Sequence, residues 1–433
     1  VMKRYGFGGI SGAVAALISA MAGTAHATQP LDAFLERAKT QSFEAREATA
    51  TERQRSAEAD VALGKLTPSF SARGVYTRNQ YEAAVQLPGT ATKIVITPLN
   101  QLDAFLQLDV PIVDLASYHR YKAASALAAS ATEQKGATTI DVSRSVARSY
   151  YQFLGADALV RSARESIKAA QANLKNVDDR RAAGAATDLD HERAAASVAR
   201  AEQELADAEL GSALAGRALE TLSGLSPDAA EGFPEDDLHA EGTLANWLSL
   251  AATTPGQRVA QKLGEAADQN RKAASRALLP TLSGSAQERI TNATGFNGRN
   301  NAYTLQLILA WRLDYGTIAG SDAQSAALEV QRVRVERTRR AAEDAAFEAF
   351  RRVEAGVVKR RAASAQEKAA TRAAELSTER YQAGVATQLD VTQAQREAFL
   401  AAAAKIQADA DLAFARASLR LASGVPVSDK RPR

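Results

Sequence analysis

A seven-residue pattern, Gly-x-x-Thr-x-x-Asp, occurs twice in this chain of 433 residues, from Gly184 to Asp190 and from Gly384 to Asp390. The identity extends beyond the pattern, because seven of the eleven positions from 180 to 190 hold the same residue 200 positions later. The same offset aligns Asp114 with Asp314. A repeat at a fixed offset indicates that one structural unit is used twice. The sequence therefore predicts a two-fold internal repeat.

The composition is typical of long helices. Alanine dominates, aromatic residues make up only 6% of the chain, and Lys, Arg, Glu and Gln recur throughout, which favours helices packed closely through small side chains. Hydrophobic residues reach 46%, but the mean hydropathy of −0.25 excludes a membrane protein built from many apolar helices. We expect a mainly α fold with a small β part.

The first residues have the pattern of a secretory signal. Met2 to Arg4 form a positive start, an apolar stretch runs from Ile10 to Met21, and Ala25 to Ala27 have the small-x-small pattern of a cleavage site. An uncleaved anchor is the alternative, but glycines leave the uninterrupted run shorter than the roughly 20 residues of a membrane span. Residues 1–27 are therefore predicted to be a signal peptide. Because the chain has no cysteine and hence no lipid-anchored cysteine, we expect a periplasmic or outer-membrane protein.

Charge and motif content exclude several functional classes. The net charge of +3 comes largely from Lys3 and Arg4 of the predicted signal, so no basic footprint for nucleic acid remains. The histidines are scattered, and no His-Glu metal spacing, P-loop or Gly-x-Ser-x-Gly elbow occurs. His191 is better explained as a polar helix residue than as a ligand. We infer no active site, no metal and no cofactor.

Each half reads in the same order: a helix, two strands, a very long helix, the repeated turn and a further helix. The long helices are expected over about 115–182 and 317–383, each spanning about 100 Å. The other expected helices cover about 31–65, 188–222 and 244–277. The chain then divides into the signal (1–27), a first repeat (28–225), a linker or equatorial segment (226–243), a second repeat (244–425) and a tail (426–433).

Four short segments alternate apolar and polar residues with the period of a strand. Two follow Pro68 and Pro280, and two return over about 101–110 and 303–311. The connections between them, 82–100 and 289–300, hold the Gly, Pro and Asn expected of exposed loops. Half-buried strands of a soluble sheet alternate in the same way, but each return segment has the ~9 to 11 residues of a tilted strand in a membrane barrel. Aromatic residues suited to two membrane girdles stand near the ends of the apolar band: Phe70 and Trp311 at one end, Tyr76 and Tyr303 at the other. Four strands are too few to close a barrel, so closure requires other copies of the chain.

The repeated turn has the chemistry of a tight helical hairpin. Gly184 and Gly384 stand where the long helices should end, and glycine forms a left-handed C-terminal cap at least cost. Thr187 and Thr387 can cap the next helix, and the Asp three positions later completes a short-armed capping box. Capping alone is one explanation of the two Asp residues. The alternative is that they also face a pore.

The second copy of the turn, Tyr381 to Val391 followed by Ala394-Gln395, resembles the tip signature of the TolC-like outer-membrane efflux family, the outer-membrane factors. Leu313 to Gly316 is similar to the Phe-Asp-Gly-Gly segment that opens the long helix in that family. The resemblance covers nearly all of the chain after the signal. It implies a homotrimer with a 12-stranded barrel in outer-membrane lipid, four strands per chain, continued by a long α-helical periplasmic barrel. The implied function is a passive exit duct of a tripartite efflux or type I secretion system, opened at its tips by a periplasmic adaptor and an inner-membrane transporter.

The same resemblance implies roles for residues of both turns. Asp390 would supply a carboxylate ring at the periplasmic gate, Tyr381 a latch side chain, and Asp190 its first-repeat partner. The turns that would contact the adaptor consist of Gly184, Ala185, Ala186 and Thr187, and of Gly384, Val385, Ala386 and Thr387. The chain departs from the family pattern twice. A second acidic ring sometimes found one turn further on is replaced by Gln393, and a basic latch residue is missing at Ala386, so the resemblance implies a less charged gate.

Two other classes fit parts of the sequence. A periplasmic adaptor also has a long helical hairpin, but that class is expected to have one hairpin flanked by Gly-rich β domains, whereas this chain has two hairpins. A soluble coiled-coil structural protein leaves the four alternating segments and the signal unexplained.

Overall fold

The computed structural model describes residues 29–427, apart from residues 87, 90–92, 229–232 and 234–235. The predicted signal peptide and the tail after residue 427 lie outside the described residues. The helices of the first half are α1 (Leu31–Gln41), α2 (Phe43–Gly64), α3 (Leu115–Ala182) and α4 (Asp188–Ser223). Those of the second half are α5 (Leu244–Ala251), α6 (Pro255–Arg276), α7 (Tyr315–Gln382) and α8 (Gln388–Ala422).

The two long helices, α3 and α7, have 68 residues each, so each extends over about 100 Å. Each is followed by the repeated turn and by a helix of half that length, α4 or α8. The mainly α class and the two-fold repeat are therefore confirmed. In the described part of the chain, no helix combines the length and the apolar character needed to cross a membrane.

The first helix of each half is interrupted, which the sequence analysis did not predict. Ser42 has an extended backbone, and its Oγ accepts the N–H of Ala45 at 3.2 Å, so it ends α1 and caps α2. In the second half, Thr254 is extended in the same way directly before Pro255, the first residue of α6. Each single helix predicted at these places was wrong, because it consists of two helices.

The helices pack side by side around α3. α4 runs back along the half of α3 that precedes the turn, whereas α2 and α6 contact the remainder of α3. α8 contacts both α3 and α7. Glycines allow this close approach, because a Cβ at Gly155 would lie 3.4 Å from the Cβ of Ala410, and one at Gly356 would lie 3.1 Å from Leu412. The shorter helices thus lie alongside the long ones.

Two buried clusters lie about midway along the long helices. In the first, α1 and the end of α4 pack on α3, and the rings of Phe34 and Tyr150 lie 5.6 Å apart. In the second, Phe350 of α7 and Leu412 of α8 are joined by Trp247 of α5. These clusters fasten the short N-terminal helix of each repeat to the middle of the helical wall.

The strands are β1 (Ser69–Arg78), β2 (Ala83–Gln86), β3 (Lys93–Thr97), β4 (Asn100–Val113), β5 (Thr281–Thr291) and β6 (Asn301–Ala310). Four of them form an antiparallel sheet in the order β1-β4-β5-β6. β2 and β3 form a separate hairpin within the stretch from 82 to 100, which the sequence analysis predicted as a loop. β5 also continues to Thr291, into the second predicted loop.

The register of the large sheet separates an apolar face from a polar one. One row across its four strands consists of Phe70, Leu108, Ala286 and Leu305. The adjacent row consists of Ser69, Asp109, Ser285 and Gln306. Because neighbouring residues of a strand point to opposite faces, the two rows belong to opposite sides of the sheet. β1 and β6 are its edge strands, and each leaves one row of backbone groups unpaired within the described structure.

All four predicted girdle residues lie on or beside the edge strands. Phe70 and Tyr76 are on β1, Tyr303 is on β6, and Trp311 follows directly after β6. All four are exposed. The Tyr76 hydroxyl donates to Oδ1 of Asn100 at 2.9 Å, and Trp311 Nε1 donates to a backbone carbonyl at 3.0 Å. Their contact with lipid stays a prediction.

Candidate functional site: the paired hairpin tips

Each long helix ends in the same glycine turn. Gly184 has a φ of +72° and Gly384 a φ of +78°, the left-handed conformation that glycine adopts at least cost. The Gly184 N–H donates to the carbonyl of Arg181 at 2.9 Å, and the following N–H donates to the carbonyl of Arg180 at 2.8 Å. The matching bonds after α7 measure 3.0 and 2.9 Å. This pair of bonds closes a helix C-terminus, so the predicted glycine cap is present in both copies.

The threonine of each turn begins the next helix. Oγ1 of Thr387 accepts the N–H of Asp390 at 3.2 Å, while Oδ2 of Asp390 accepts the N–H of Thr387 at 2.8 Å. Thr187 and Asp190 form the same box at 3.2 and 3.1 Å. Hydrogen bonds from the threonine backbone and hydroxyl lower the pKa of both carboxyl groups. Both Asp side chains are therefore ionised helix caps at neutral pH.

The two tips meet within one chain. A buried cluster joins Val177 of α3 and Ala194 of α4 to Tyr381 of α7 and Val391 of α8. Tyr381 is only 5% exposed. Apolar contact therefore holds the two hairpins side by side at their ends.

Arg180, near the end of α3, reaches across to the end of α7. Its Nη1 donates to the carbonyl oxygens of Tyr381 at 3.0 Å and of Gln382 at 3.1 Å. Its guanidinium carbon lies 4.8 Å from the centre of the Tyr381 ring, within cation–π range. The sequence analysis did not assign Arg180 to the site. The repeat places an identical residue at Arg380, and no pattern in the sequence shows which of the two crosses to the other hairpin.

The structure brings together two of the three predicted gate residues. Burial raises the pKa of Tyr381; Arg180 lowers it, and the nearby Asp190 carboxylate raises it further. Within the described part of the chain, the Tyr381 hydroxyl has no hydrogen-bond partner, so the contact between the hairpins is made by its ring and backbone. Asp390 is exposed and bonded to its own turn, with Arg380 as the nearby charge. Its gate role stays a prediction.

The predicted adaptor-contact turns are largely exposed. In both, the glycine, the residue after it and the threonine are exposed, whereas Ala186 and Ala386 are half-buried against the tip cluster. Val385 is 65% exposed, and Leu189 and Leu389 at the start of the following helices are also exposed. The tips therefore present apolar side chains around two polar, capped turns, a composition suited to contact with another protein.

A groove of about 520 Å³ runs between α4 and α8 behind the tips. Arg193 and Arg200 line it from α4, and Arg396 and Glu397 line it from α8. Glu204 lies further along α4, where burial raises its pKa although Arg200 and Arg396 oppose this effect. The side of the tips that this groove occupies is thus cationic, in contrast to the acidic capping boxes.

His191, which follows the capping residue Asp190, is paired within its own hairpin. Its Nδ1 lies 2.7 Å from Oδ1 of Asp178 on α3. This contact joins α3 to α4 and agrees with the interpretation of His191 as a polar helix residue.

A second ionic cluster lies far from the tips, where the segment before α5 meets α8. Arg416 is 6% exposed, and its guanidinium bonds to Asp236 at 2.7 and 3.0 Å and to Glu241 at 2.5 Å. Asp236, Asp237 and His239 are close enough to hold a metal ion, with candidate ligand atoms within 4.8 Å of one another. However, both carboxylate oxygens of Asp236 already accept bonds from Arg416. The cluster therefore serves as an ionic anchor between the linker and α8.

Several solved structures share this fold. A membrane protein from Pseudomonas aeruginosa matches with a TM-score of 0.77 and 21% identity, covering 91% of this chain and 93% of that one. The outer membrane protein VceC of Vibrio cholerae matches with a TM-score of 0.76 and 20% identity, over 91% and 96% of the two chains. The CmeC outer membrane channel of Campylobacter jejuni matches with a TM-score of 0.78 and 14% identity, over 98% and 94%. No significant match to a curated protein was found.

Solved outer-membrane channels share this arrangement of long repeated hairpins and a small sheet. The family described as "Outer membrane efflux protein" matches residues 34–225 and 251–425, and the chain belongs to that family. It is accordingly an exit duct of the outer membrane and a passive channel, not an enzyme.

Proposed function

We propose that three copies of this chain form a channel whose barrel of twelve strands crosses the outer membrane and whose helices form a tunnel through the periplasm. One observation carries the proposal: the amphipathic sheet and the paired tips stand at opposite ends of helices about 100 Å long. The sheet has one apolar face for lipid and two open edges, β1 and β6, that can pair only with other chains. Twelve strands then close without an edge.

The paired tips form the periplasmic entrance in this arrangement. Their exposed apolar side chains, including Val385 and Leu389, surround the two capped turns and form the docking surface for a periplasmic adaptor. The adaptor connects the channel to an inner-membrane transporter, which supplies the energy. The residues from Gly184 to Thr187 and from Gly384 to Thr387 make the adaptor contact.

Size and conductance test this proposal. The purified protein should come from the outer-membrane fraction, have the mass of three chains, and produce discrete ion-conducting steps in a planar lipid bilayer. Recovery as a monomer from the soluble periplasmic fraction would contradict the duct.

Asp390 supplies a ring of three carboxylates at the entrance of the trimer. Three negative charges around a narrow opening favour cations and can hold blocking divalent ions. Asp390 also caps α8, so the test must separate its charge from its hydrogen bonds. Asp390→Asn removes the charge but keeps polar side-chain atoms near Thr387, whereas Thr387→Ala breaks the box but keeps the charge.

The two variants should therefore behave oppositely in single-channel recordings. Asp390→Asn should weaken divalent-ion block and lower cation selectivity, while Thr387→Ala should leave both near the wild-type values. If divalent ions block the Asp390→Asn channel as strongly as the wild-type channel, Asp390 is only a helix cap.

A further inference from the structure

Arg180 makes a direct polar connection from the first hairpin to the end of the second. Its Nη1 bonds to the carbonyls of Tyr381 and Gln382, which belong to the last turn of α7. The last carbonyls of a helix lack partners inside the helix and carry the negative end of its dipole. A guanidinium is planar and always charged, and here one of its nitrogens, Nη1, donates to both carbonyls. Arg180 thus adds a donor from a different hairpin to this helix end, where the Tyr381 carbonyl also accepts the N–H of Gly384.

The ring contact strengthens this placement. The Arg180 guanidinium lies over the Tyr381 ring at 4.8 Å, while the ring is buried in the apolar tip cluster with Val177 and Val391. Separating the hairpins would break both hydrogen bonds and expose Tyr381 to water at the same time. The polar and apolar contacts are therefore lost together.

The internal repeat supplies an unbonded counterpart. Arg380 occupies the position equivalent to Arg180, but within the described residues its side chain makes no hydrogen bond or ion pair with the first hairpin. The position that follows each arginine also differs, being Arg181 in the first repeat and Tyr381 in the second. The contact is thus asymmetric, because an arginine of the first hairpin bonds to the end of the second hairpin and not the reverse.

We infer that Arg180 is the latch that holds the two hairpin tips of each chain together and keeps the entrance closed. The inference rests on the proposed function, in which the tips form that entrance. It replaces the basic residue that the family resemblance would place at position 386, where this chain has Ala386. Both acceptors are backbone carbonyls, so the hydrogen-bonded part of the latch depends on the side chain of Arg180.

Proteolysis at the tips tests the latch without requiring conduction. Chymotrypsin cleaves after tyrosine, and Tyr381 is buried while the hairpins are joined. Arg180→Ala in the full-length detergent-solubilised protein should raise the cleavage rate after Tyr381 by roughly tenfold or more, the factor expected for loss of a charge-assisted hydrogen bond. Arg380→Ala is the matched control and should cleave at the wild-type rate. Equal rates in Arg180→Ala and Arg380→Ala would overturn the latch.

A conservative variant guards against a general folding defect. Arg180→Lys keeps the charge but has no planar fork, so it should give an intermediate cleavage rate. The global thermal unfolding midpoints of Arg180→Ala and Arg380→Ala should agree, since the latch acts on tip separation and not on the helical wall. If Arg180→Ala lowers that midpoint and Arg180→Lys cleaves like the wild type, the role of Arg180 is structural and the inference fails.

Planar-bilayer recordings connect the latch to the entrance. Arg180→Ala should increase the open-state occupancy by about the same factor as the cleavage rate, whereas Arg380→Ala should not. If the wild type and all variants fail to conduct, the channel proposal fails while the cleavage comparison still decides the latch. If the wild type conducts and Arg180→Ala conducts identically despite faster cleavage, Arg180 joins the tips but does not close the entrance, and the inference is wrong.

Discussion

Oδ2 of Asp390 lies 2.7 Å from Oγ1 of Thr387 and 2.8 Å from its backbone nitrogen. The first repeat has the same arrangement, so this carboxylate has a structural role in the turn whether or not it also lines a gate. Because the folded state lowers the pKa of Asp390, this interaction stabilises the turn above the ordinary carboxyl pKa of about 4. This stabilisation of the turn is lost as the pH falls through the lowered pKa of Asp390. At a pH near neutrality the turn therefore stays intact.

Thr387→Ala should loosen the start of α8. The substitution removes the oxygen that accepts the Asp390 N–H, and loss of such a cap costs ~1 kcal/mol, so the Asp390 amide should exchange with solvent about five times faster. Hydrogen exchange over the first turn of α8 measures this. Thr378→Ala is the control, because its hydroxyl bonds only to a carbonyl of its own helix. Unchanged exchange in Thr387→Ala would show that the box does not hold the turn.

Gly384→Ala should destabilise the tip, although a Cβ there would meet nothing within 4 Å. The cost is conformational, because a φ of +78° is unfavourable for alanine by roughly 1–2 kcal/mol. Gly211→Ala in α4 also adds a methyl group into open space but at a helical position, where it should stabilise by up to about 1 kcal/mol. The midpoints of chemical denaturation of the two variants should therefore shift in opposite directions from that of the wild type. Shifts of the same sign would contradict the left-handed cap.

Glu204→Gln should stabilise the protein at neutral pH and not in acid. The folded state raises the pKa of Glu204 because burial outweighs the attraction of Arg200 and Arg396. The charged carboxylate therefore disfavours folding at pH 7, and this effect disappears below the unfolded pKa, near 4.3. The midpoint temperature of thermal unfolding should rise by roughly 1–2 °C at pH 7 and stay unchanged at pH 4. Glu202→Gln, on an exposed position of the same helix, should show neither effect.

Arg416→Ala should be among the more damaging substitutions outside the tips. It leaves the carboxylates of Asp236 and Glu241 without their partner in a mostly buried site, and breaking such a pair costs about 3–5 kcal/mol. Arg217→Ala breaks the exposed pair with Glu220 and should cost less than about 1 kcal/mol. Denaturation of both variants gives the comparison. Similar losses in the free energy of unfolding of the two variants would show that the cluster does not anchor the linker.

Elements set by local chemistry could be predicted from the sequence. The glycine cap, the threonine and the aspartate of each turn lie within seven residues, and their backbone bonds are made as expected. The start of α3 was predicted at 115, where Asp114 caps it, and its end was predicted at 182. Alternation also identified the strands of the large sheet, because their two faces meet different environments.

Features that depend on distant parts of the chain were missed. The Arg180 contact joins residues about 200 positions apart, and its counterpart Arg380 has the same local sequence but no such bond. The break at Ser42 went unrecognised because one serine within a helical pattern is a weak stop signal. The hairpin of β2 and β3 lies in a segment rich in turn residues, and only the pairing of the two short strands to each other defines it.

The open edges of β1 and β6 bear on how such a channel is made. In hydrocarbon, every unpaired backbone N–H or C=O costs several kcal/mol, so a single copy with two bare edges cannot remain in the bilayer. In the proposed trimer, strand pairing between copies must therefore precede insertion or occur together with it. Before that moment each chain carries two open strand edges, and such edges are templates for aggregation.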